Sequence, residues 1–318
     1  AASDVYKRQI VCIILCSCKS KEHKNEQLST TIDSTLQVKA TSILENKLSE
    51  LNALSVQAIV MEVQTGHIKA MVELERKDSA DYQPCENFSQ AHESALIQPI
   101  SILAALETGE VKLSDKVDTG EGIYQVHDRE LKDHNWHRGG YGELTVQEGL
   151  AASSNIATYK TMEKAFGDNP QTFFDLLANM SYGKPDSITG IANLKPVHFI
   201  TPKDNNWTKT AFVWSSIGYN QHVSPIQILT FYNAIANNGK MIQPQLFKDS
   251  VVVINPQIAS RVSIDSLKKA LVFNITDGLG QPAKSDKVLV AGMQGTSSLS
   301  TLSLIHIYEP TRPLYISY

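Results

Sequence analysis

The sequence has few cysteines and aromatic residues, and it contains no long apolar run. Only four of its 318 residues are cysteines, and three of these lie within residues 12–18, which excludes a disulfide scaffold. No apolar run reaches the roughly 18 residues that a membrane-spanning helix needs. The 29 basic and 33 acidic residues give a net charge of −4, without the basic excess of a nucleic-acid binder. A hydrophobic fraction of 42% instead predicts a folded, mostly soluble protein of one large or two ordinary domains.

The two ends of the sequence are related at the DNA level. A DNA string that encodes residues 4–9 has a reverse complement that encodes residues 302–307. This element resembles the transposon end used as a sequencing adapter, whereas two unrelated natural tails would need a coincidence over six codons. We therefore predict that residues 1–9 and 302–318 are adapter-derived artefacts around a truncated natural segment.

An apolar segment over residues 10–18 precedes a polar stretch. It ends in Leu15-Cys16-Ser17-Cys18, which resembles a bacterial lipobox, where the last cysteine becomes lipidated. A truncated transmembrane anchor and a buried strand are alternatives, because the upstream charged region that would distinguish them is missing. We predict a remnant of a lipoprotein signal or membrane anchor over residues 10–18, lipidation at Cys18, and a linker over residues 19–30. This places the domain over residues 31–301 outside the cytoplasmic membrane.

Residues 31–301 carry the periodicities and end signals of a folded domain. Thr145 and Glu148 form a capping-box pattern, and prolines open two other predicted helices. Helices between early and late strands predict an α+β architecture. The pattern predicts helices over residues 36–51, 99–106, 145–167, 170–183, 225–237 and 263–271, a hairpin of strands over 55–63 and 67–74, and a strand over 288–291.

Five segments, in order, resemble the transpeptidase domain of penicillin-binding proteins, the serine acyltransferases that cross-link peptidoglycan. These segments cover residues 31–37, 65–71, 143–155, 216–227 and 292–297, so the resemblance extends over most of the predicted domain. It implies a central antiparallel sheet flanked by helices, with a helical subdomain. It also implies acyl-transfer chemistry by a serine, with no cofactor.

The residues that would perform this chemistry are missing. The family uses a Ser-x-x-Lys motif, in which the lysine lies one helical turn after the nucleophile. Alignment on Pro99 and Gly109 puts Ala95 at the serine position and Gln98 at the lysine position. Ser94 is a poor substitute, because one residue along a helix turns a side chain by about 100°. We predict that no residue here is catalytically active.

Of the other two motifs of the family, Lys-Thr-Gly is altered and Ser-x-Asn is retained. The Lys-Thr-Gly segment lacks its lysine, the cation that would meet a substrate carboxylate, but its glycine still permits close backbone approach. The resemblance implies the following site positions: retained Ser153 and Asn155 of Ser-x-Asn, and degenerate Met293, Gln294 and Gly295 of Lys-Thr-Gly, with Thr296.

Two other groups of residues carry weaker signals. His134 and His137, with Asp133 and His127 nearby, have a metal-like spacing, but a loop rich in glycine and histidine is typical of a solvated turn. Cys85 has no second cysteine in the domain to pair with, so we expect a free thiol without a catalytic role. We predict no metal site.

These patterns together predict a lipid-anchored cell-envelope protein that has lost acyl transfer. We expect it to bind peptidoglycan stem peptide or a β-lactam weakly and non-covalently, or to bind proteins of cell-wall synthesis, and not to bind nucleic acid. The alternative is an active D,D-transpeptidase, carboxypeptidase or β-lactam-binding sensor with a displaced nucleophile. A third hypothesis is a purely structural partner in a division or elongation complex.

Overall fold

The computed structural model describes residues 29–77, 82–85, 88–91, 93, 95–208 and 210–295. The helices of this part of the chain are α1 Ser34–Leu51, α2 Gln98–Glu107, α3 Val146–Ala151, α4 Asn155–Phe166, α5 Pro170–Asn179, α6 Ala211–Ile217, α7 Pro225–Ala236 and α8 Arg261–Asp277. The strands are β1 Ser55–Met61, β2 Ile68–Arg76, β3 Tyr82–Pro84, β4 Lys116–Asp118, β5 Ile123–Val126, β6 Arg129–Lys132, β7 Glu143–Thr145, β8 Met241–Ile242 and β9 Val253–Asn255. The fold is α+β, as predicted.

The chain divides into two compact units. The first, which we call the sheet unit, comprises the described residues from 29 to 91, residues 183–196 and residues 224–256. The second, the helical unit, comprises the described residues within 93–182, 197–223 and 257–295. Every described position of the predicted site falls in the helical unit.

The sheet unit is built on the predicted hairpin. β1 and β2 pair antiparallel, β3 pairs with the other edge of β2, and α1 packs on this sheet through Leu48, Val72 and Leu74. The Gln37 side chain joins the helix to the sheet, because its amide donates to the Met71 carbonyl and accepts from the Met71 N–H, both at 2.8 Å. A buried glutamine is tolerated here because both ends of its amide are hydrogen-bonded.

The sheet unit also includes the end of the predicted linker. The Ser29 carbonyl accepts a hydrogen bond from the Lys248 N–H, and Thr30 forms a bridge with Phe247. A second apolar cluster forms around Ile68 and Ile226, the latter on α7. That helix begins at Pro225, as its Ser-Pro start predicts, and Ser224 and Gln227 form a capping box there that was not predicted from the sequence.

The helical unit is organised around α2. Its residues Ile100, Leu103 and Ala104 are completely buried, and α4, α6 and α8 pack around this helix. Ser101 is buried too, and its hydroxyl donates to the Ser216 carbonyl at 2.8 Å. A helix enclosed in this way gives the residues at its first turn fixed positions.

Three sequence predictions for the helical unit are wrong. The helix over residues 145–167 is two helices, α3 and α4, because Ser153 has a left-handed backbone with φ +49° that interrupts the helical hydrogen bonds. Residues 288–291 form no strand, since no described neighbouring strand pairs with them. The last helix runs over Arg261–Asp277 and extends beyond both ends of the predicted range 263–271. At its start, Ser260 is the N-cap, and its side chain accepts from the Ser263 N–H.

Candidate functional site

The predicted nucleophile and lysine positions lie at the start of α2. Residues Ala95–Ile97 form a single 3₁₀ turn, and Gln98 is the first residue of the α-helix, followed by Pro99 as a favourable early residue. This is the local geometry that the Ser-x-x-Lys spacing predicts. The side chains, however, are a methyl group and an amide.

The retained Ser-x-Asn segment forms the break between α3 and α4. Ser153 has the left-handed backbone, Ser154 is the N-cap of α4, and Asn155 is its first residue. A left-handed backbone is uncommon for a residue with a side chain and persists where the surroundings hold it in place. The break therefore turns Ser153 and Asn155 out of the helix pattern and towards α2.

Gln98 joins the two motifs. Its side-chain nitrogen donates to Asn155 Oδ1 at 2.9 Å, and its side-chain oxygen accepts from the Ser153 hydroxyl at 3.2 Å. The Asn155 side-chain nitrogen donates in turn to the Lys132 carbonyl at 3.0 Å. Gln98 is completely buried, so its amide stabilises this arrangement as a satisfied network. A neutral amide does not take up a proton at physiological pH, so no general base stands at this position.

A buried carboxylate holds the break in place from the other side. Asp133 accepts hydrogen bonds from the Ser154 hydroxyl at 2.7 Å and from the Ile156 N–H at 3.0 Å. Ser154 also accepts from the Ala157 N–H at 3.0 Å, which completes the cap of α4. Burial raises the pKa of the Asp133 carboxyl above its usual value, and the hydrogen bonds from Ile156 and Ser154 partly oppose that rise.

The segment at the altered Lys-Thr-Gly position packs against the start of α2. A Cβ atom at Gly295 would lie 3.1 Å from the Leu96 nitrogen and 3.3 Å from the Ala95 Cβ, so the two backbones are in close contact. Residues 292–295 form no strand, and α8 holds them in place. Asn274 of that helix donates to the Gly292 carbonyl and to Gln294 Oε1, both at 2.8 Å.

Two buried amide atoms of this segment lack hydrogen-bond partners among the described residues. They are Asn274 Oδ1 and Gln294 Nε2. Buried polar atoms are nearly always satisfied by protein, water or a bound group, so unmatched atoms of this kind indicate a position that a polar molecule can complete.

Lys132 contacts this network through its backbone, and its side chain is engaged elsewhere. The Lys132 ammonium pairs with Glu130 at 2.8 Å and lies 4.8 Å from the centre of the Trp136 ring. Its contribution to Asn155 is the backbone carbonyl. The site residues that the structure describes, including Gln98, Ser153 and Gln294, are therefore neutral.

The weaker sequence candidates do not gather into a site. His134 hydrogen-bonds to the Tyr141 hydroxyl at 2.9 Å, and burial lowers the pKa of His134. Burial also raises the pKa of Tyr141 to about 12, so this hydroxyl remains protonated. Among the described residues, no group of three or more histidine, cysteine, aspartate and glutamate side chains could hold a metal ion. Cys85 forms no disulfide with any residue that the structure describes.

Several predicted positions lie outside the described residues. They are Cys18, Ser94 and Thr296, together with the ends over residues 1–9 and 302–318 and most of the predicted linker. Within the described part of the chain, no helix combines the length and apolarity that crossing a membrane requires.

Sequence patterns do not reveal the structural role of two residues at this site. In the sequence, Asp133 stands out only as a possible metal ligand, because an aspartate about twenty residues before a Ser-x-Asn segment has no local pattern that would indicate a cap. Asn274 carries no signal either, because a polar residue inside a long helix has many possible reasons. Both roles depend on contacts between distant parts of the chain.

Comparison with solved structures shows the class of fold. The chain superimposes on a crystal structure of a peptidoglycan glycosyltransferase from Burkholderia ambifaria with a TM-score of 0.73 and 22% identity, covering 85% of this chain and 82% of the other. The transpeptidase domain of penicillin-binding protein 3 from Burkholderia pseudomallei gives a TM-score of 0.71 and 21% identity, covering 85% of this chain and 78% of the other. The fold is that of penicillin-binding transpeptidase domains.

Sequence comparison shows the family. The family profile of the penicillin binding protein transpeptidase domain matches residues 56–301, so this chain belongs to that family. It is 24% identical to the probable peptidoglycan D,D-transpeptidase PbpC of Pseudomonas aeruginosa, over 91% of this chain and 55% of that protein. It is 23% identical to the stage V sporulation protein D of Bacillus subtilis, over 85% of this chain and 44% of that protein. The chain thus spans about half the length of the curated relatives that it matches.

Proposed function

We propose that this chain is a transpeptidase-domain protein of the bacterial cell envelope that binds its ligand without acylation. The observation that carries the proposal is the environment of Gln98. An amide occupies the position of the activating lysine, and both of its ends are hydrogen-bonded, to Asn155 and Ser153. Ala95, one turn earlier, has no oxygen with which to attack a carbonyl. Acyl transfer needs both a nucleophile and a means of activating it, and neither stands at its expected position.

Retained features around the same position favour a binding role over a purely structural one. The Ser153–Asn155 break is stabilised by a buried capping network, which keeps polar side chains directed at α2. Gln294 Nε2 is a buried donor without a partner among the described residues, which a peptide carbonyl can satisfy. We therefore propose peptidoglycan stem peptide or another envelope protein as the ligand, with β-lactams binding weakly because the site residues are neutral.

Labelling with a fluorescent penicillin tests the loss of catalysis. The purified chain should give no covalent band, whereas an active penicillin-binding protein treated in parallel should be labelled. A band that disappears in Ser94→Ala would establish a displaced nucleophile and overturn the non-catalytic proposal. A band that survives this substitution would require intact-mass analysis and peptide mapping of the adduct, and would overturn the proposal equally.

Titration with a synthetic stem pentapeptide tests the binding role. We expect saturable binding, measured by calorimetry, that weakens by about tenfold in Asn155→Ala, since one hydrogen-bonding group and its network are lost. Asn179→Ala, an asparagine at the end of α5, is the matched control and should leave the affinity unchanged. Absence of peptide binding, or an equal loss of affinity in both variants, would contradict peptide recognition. Binding of another envelope protein would then be the remaining proposal.

The location of the protein follows from the same proposal. Two of the curated relatives are named as peptidoglycan D,D-transpeptidases, one of them as probable, and peptidoglycan lies outside the cytoplasmic membrane. We propose the same compartment for this chain, with attachment through a lipid on Cys18. Cells that express the parent protein or its Cys18→Ala variant can be labelled metabolically with an alkyne fatty acid. The amount of label on the two proteins tests the attachment. Equal labelling of both would contradict it.

A further inference from the structure

A cavity in the helical unit lies among residues that belong neither to Ser-x-Asn nor to the other site motifs. It has a volume of about 290 Å³. Its walls come from α4, from the first residue of α5, from α6 and the segment before it, and from the turn between β5 and β6. The lining residues used below are Tyr159, Glu163, Pro170, Trp207 and Phe212, with His127 at the β5–β6 turn. This volume suits one side-chain-sized group better than a drug-sized molecule.

Three aromatic rings form fixed walls of this cavity. Trp207 packs edge-to-face on Phe174 with ring centres 5.8 Å apart, and Phe212 packs edge-to-face on Phe173 at 5.9 Å. The third ring, Tyr159, is only 5% exposed. Rings held by neighbouring rings do not need to be ordered by a ligand, so the cavity is preformed. Aromatic faces carry partial negative charge and favour a cation over a neutral group of the same shape.

The carboxylate of Glu163 lines this cavity beside the aromatic rings. Its Oε1 accepts a hydrogen bond from the Tyr159 hydroxyl at 2.8 Å. Burial and the neighbouring Glu163 carboxylate raise the pKa of Tyr159, so this hydroxyl keeps its proton and remains a donor. Oε2 accepts none of the hydrogen bonds identified among the described residues, which leaves it available to a ligand.

The two lysines that flank Glu163 on α4 are occupied elsewhere. The Lys160 ammonium donates to the Asp118 carbonyl at 2.7 Å and lies 4.3 Å from the centre of the Tyr124 ring. The Lys164 ammonium pairs with Asp115 at 2.9 Å. No salt bridge to Glu163 occurs in the part of the chain that the structure describes. Glu163, an exposed residue, therefore has no cationic side chain paired with its carboxylate among the described residues, and this carboxylate lies beside the aromatic walls.

We propose that this cavity binds an alkylammonium group, such as the side chain of a lysine or another diamino acid. The aromatic walls and the Glu163 carboxylate together select a cation with an apolar stem. Hydrogen bonding decides between the two organic cations of proteins. A guanidinium pairs best with two carboxylate oxygens, whereas an ammonium is a point charge that one oxygen can satisfy. Because Tyr159 already donates to Oε1, that oxygen has less acceptor capacity left for a second guanidinium N–H, and the site favours the ammonium.

Titration of the intact chain with n-butylammonium chloride tests the proposal. The signal is the indole N–H resonance of Trp207 in a ¹⁵N-labelled sample, assigned by its loss in Trp207→Phe, at constant ionic strength and at pH 8, where ordinary imidazoles are neutral. We expect a saturable shift with n-butylammonium and binding about 10- to 100-fold weaker for n-butanol, which has the same stem without the charge. Glu163→Gln should weaken ammonium binding by a similar factor.

Two further variants make the test specific. Glu45→Gln removes the same charge from an exposed position on α1 and should leave the ammonium affinity within about twofold of the parent. Tyr159→Phe keeps the ring and frees Oε1, so it should raise the affinity of n-butylguanidinium relative to n-butylammonium. No saturable shift, an equal response to n-butanol, or an unchanged response in Glu163→Gln would each overturn the proposal. An unchanged guanidinium-to-ammonium ratio in Tyr159→Phe would overturn the selectivity assigned to Tyr159.

Discussion

Introducing a serine and a lysine at the proposed nucleophile and lysine positions is the perturbation that tests the site most directly. Gln98→Lys would place an ammonium where the glutamine nitrogen now lies, 2.9 Å from Asn155 Oδ1 and near the Ser153 hydroxyl. Both neighbours can accept from it. The position is completely buried, and burial lowers the pKa of a lysine, which favours a neutral amine able to act as a base. Ala95→Ser would supply the nucleophile one turn earlier.

The expected magnitudes follow from these contacts. Ala95→Ser alone should acylate little, because an unactivated serine hydroxyl is a weak nucleophile at neutral pH. General-base assistance typically contributes 10²–10⁴-fold, so the double variant should exceed the single one by about that factor. Met293→Lys should add a charge-assisted contact to the penicillin carboxylate, about 1.5–3 kcal/mol if it is well placed. A lysine at position 98 is either an ammonium without an acceptor for the Ser153 hydroxyl or an amine that burial has deprotonated, and either state should cost the double variant about 1–3 kcal/mol of stability.

Intact-mass spectrometry of penicillin adducts over time is the assay. Ala95→Ser with Gln98→Met is the matched control, because methionine has a similar length and cannot accept a proton. Circular dichroism and urea unfolding establish that each variant is folded. A folded triple variant without a covalent adduct would refute the reasoning, and would show that the close contact of Gly295 with the Ala95–Leu96 turn leaves no room for the substrate.

Three smaller perturbations address the scaffold of the site. Asp133→Asn removes a carboxyl whose pKa is raised in the folded state. Between the pKa of this carboxyl in the unfolded chain and its pKa in the folded protein, the folded parent binds more protons, so this group makes the parent less stable as the pH rises. Urea unfolding between pH 4 and 7 should show that this decrease is lost in Asp133→Asn, and parallel curves for the two proteins would contradict the reasoning. Ser154→Ala should cost about 1–2 kcal/mol, since both the α4 cap and a hydrogen bond to Asp133 are lost, and a change below about 0.5 kcal/mol would argue against the cap. Gly149→Ala should cost about 1–3 kcal/mol by thermal unfolding, because its Cβ would lie 2.5 Å from the Ala157 Cβ; an unchanged melting temperature would show that α3 can shift freely.

Local sequence patterns predicted the features that depend on neighbouring residues. The hairpin, the α1 helix and the Pro225 start of α7 carry their own signals, since strand periodicity, helical spacing and capping residues act within a few positions. The capping box at Thr145 is a further case. The order of the five family-like segments is enough to indicate the family, because each segment keeps a local pattern.

Contacts between residues far apart in the sequence are seen only in the tertiary structure. Gln98 and Asn155 are 57 positions apart, and Ser154 and Asp133 are 21 apart, so no local pattern could show that these side chains meet. The helical spacing over residues 145–167 continues through Ser153, and only the tertiary surroundings show that this residue leaves the helix.

The segment after residue 287 is a case in which a local pattern predicts an element that does not form. Its apolar residues favour a strand, but a strand exists only where a neighbour supplies hydrogen bonds. In the described part of the chain, Asn274 of α8 supplies one to the Gly292 carbonyl, and the Gly292 N–H donates to the Leu271 carbonyl. The sequence identifies the residue types at the site. The hydrogen-bond partners that hold each of them in position follow only from the tertiary structure, because those partners are distant in the sequence.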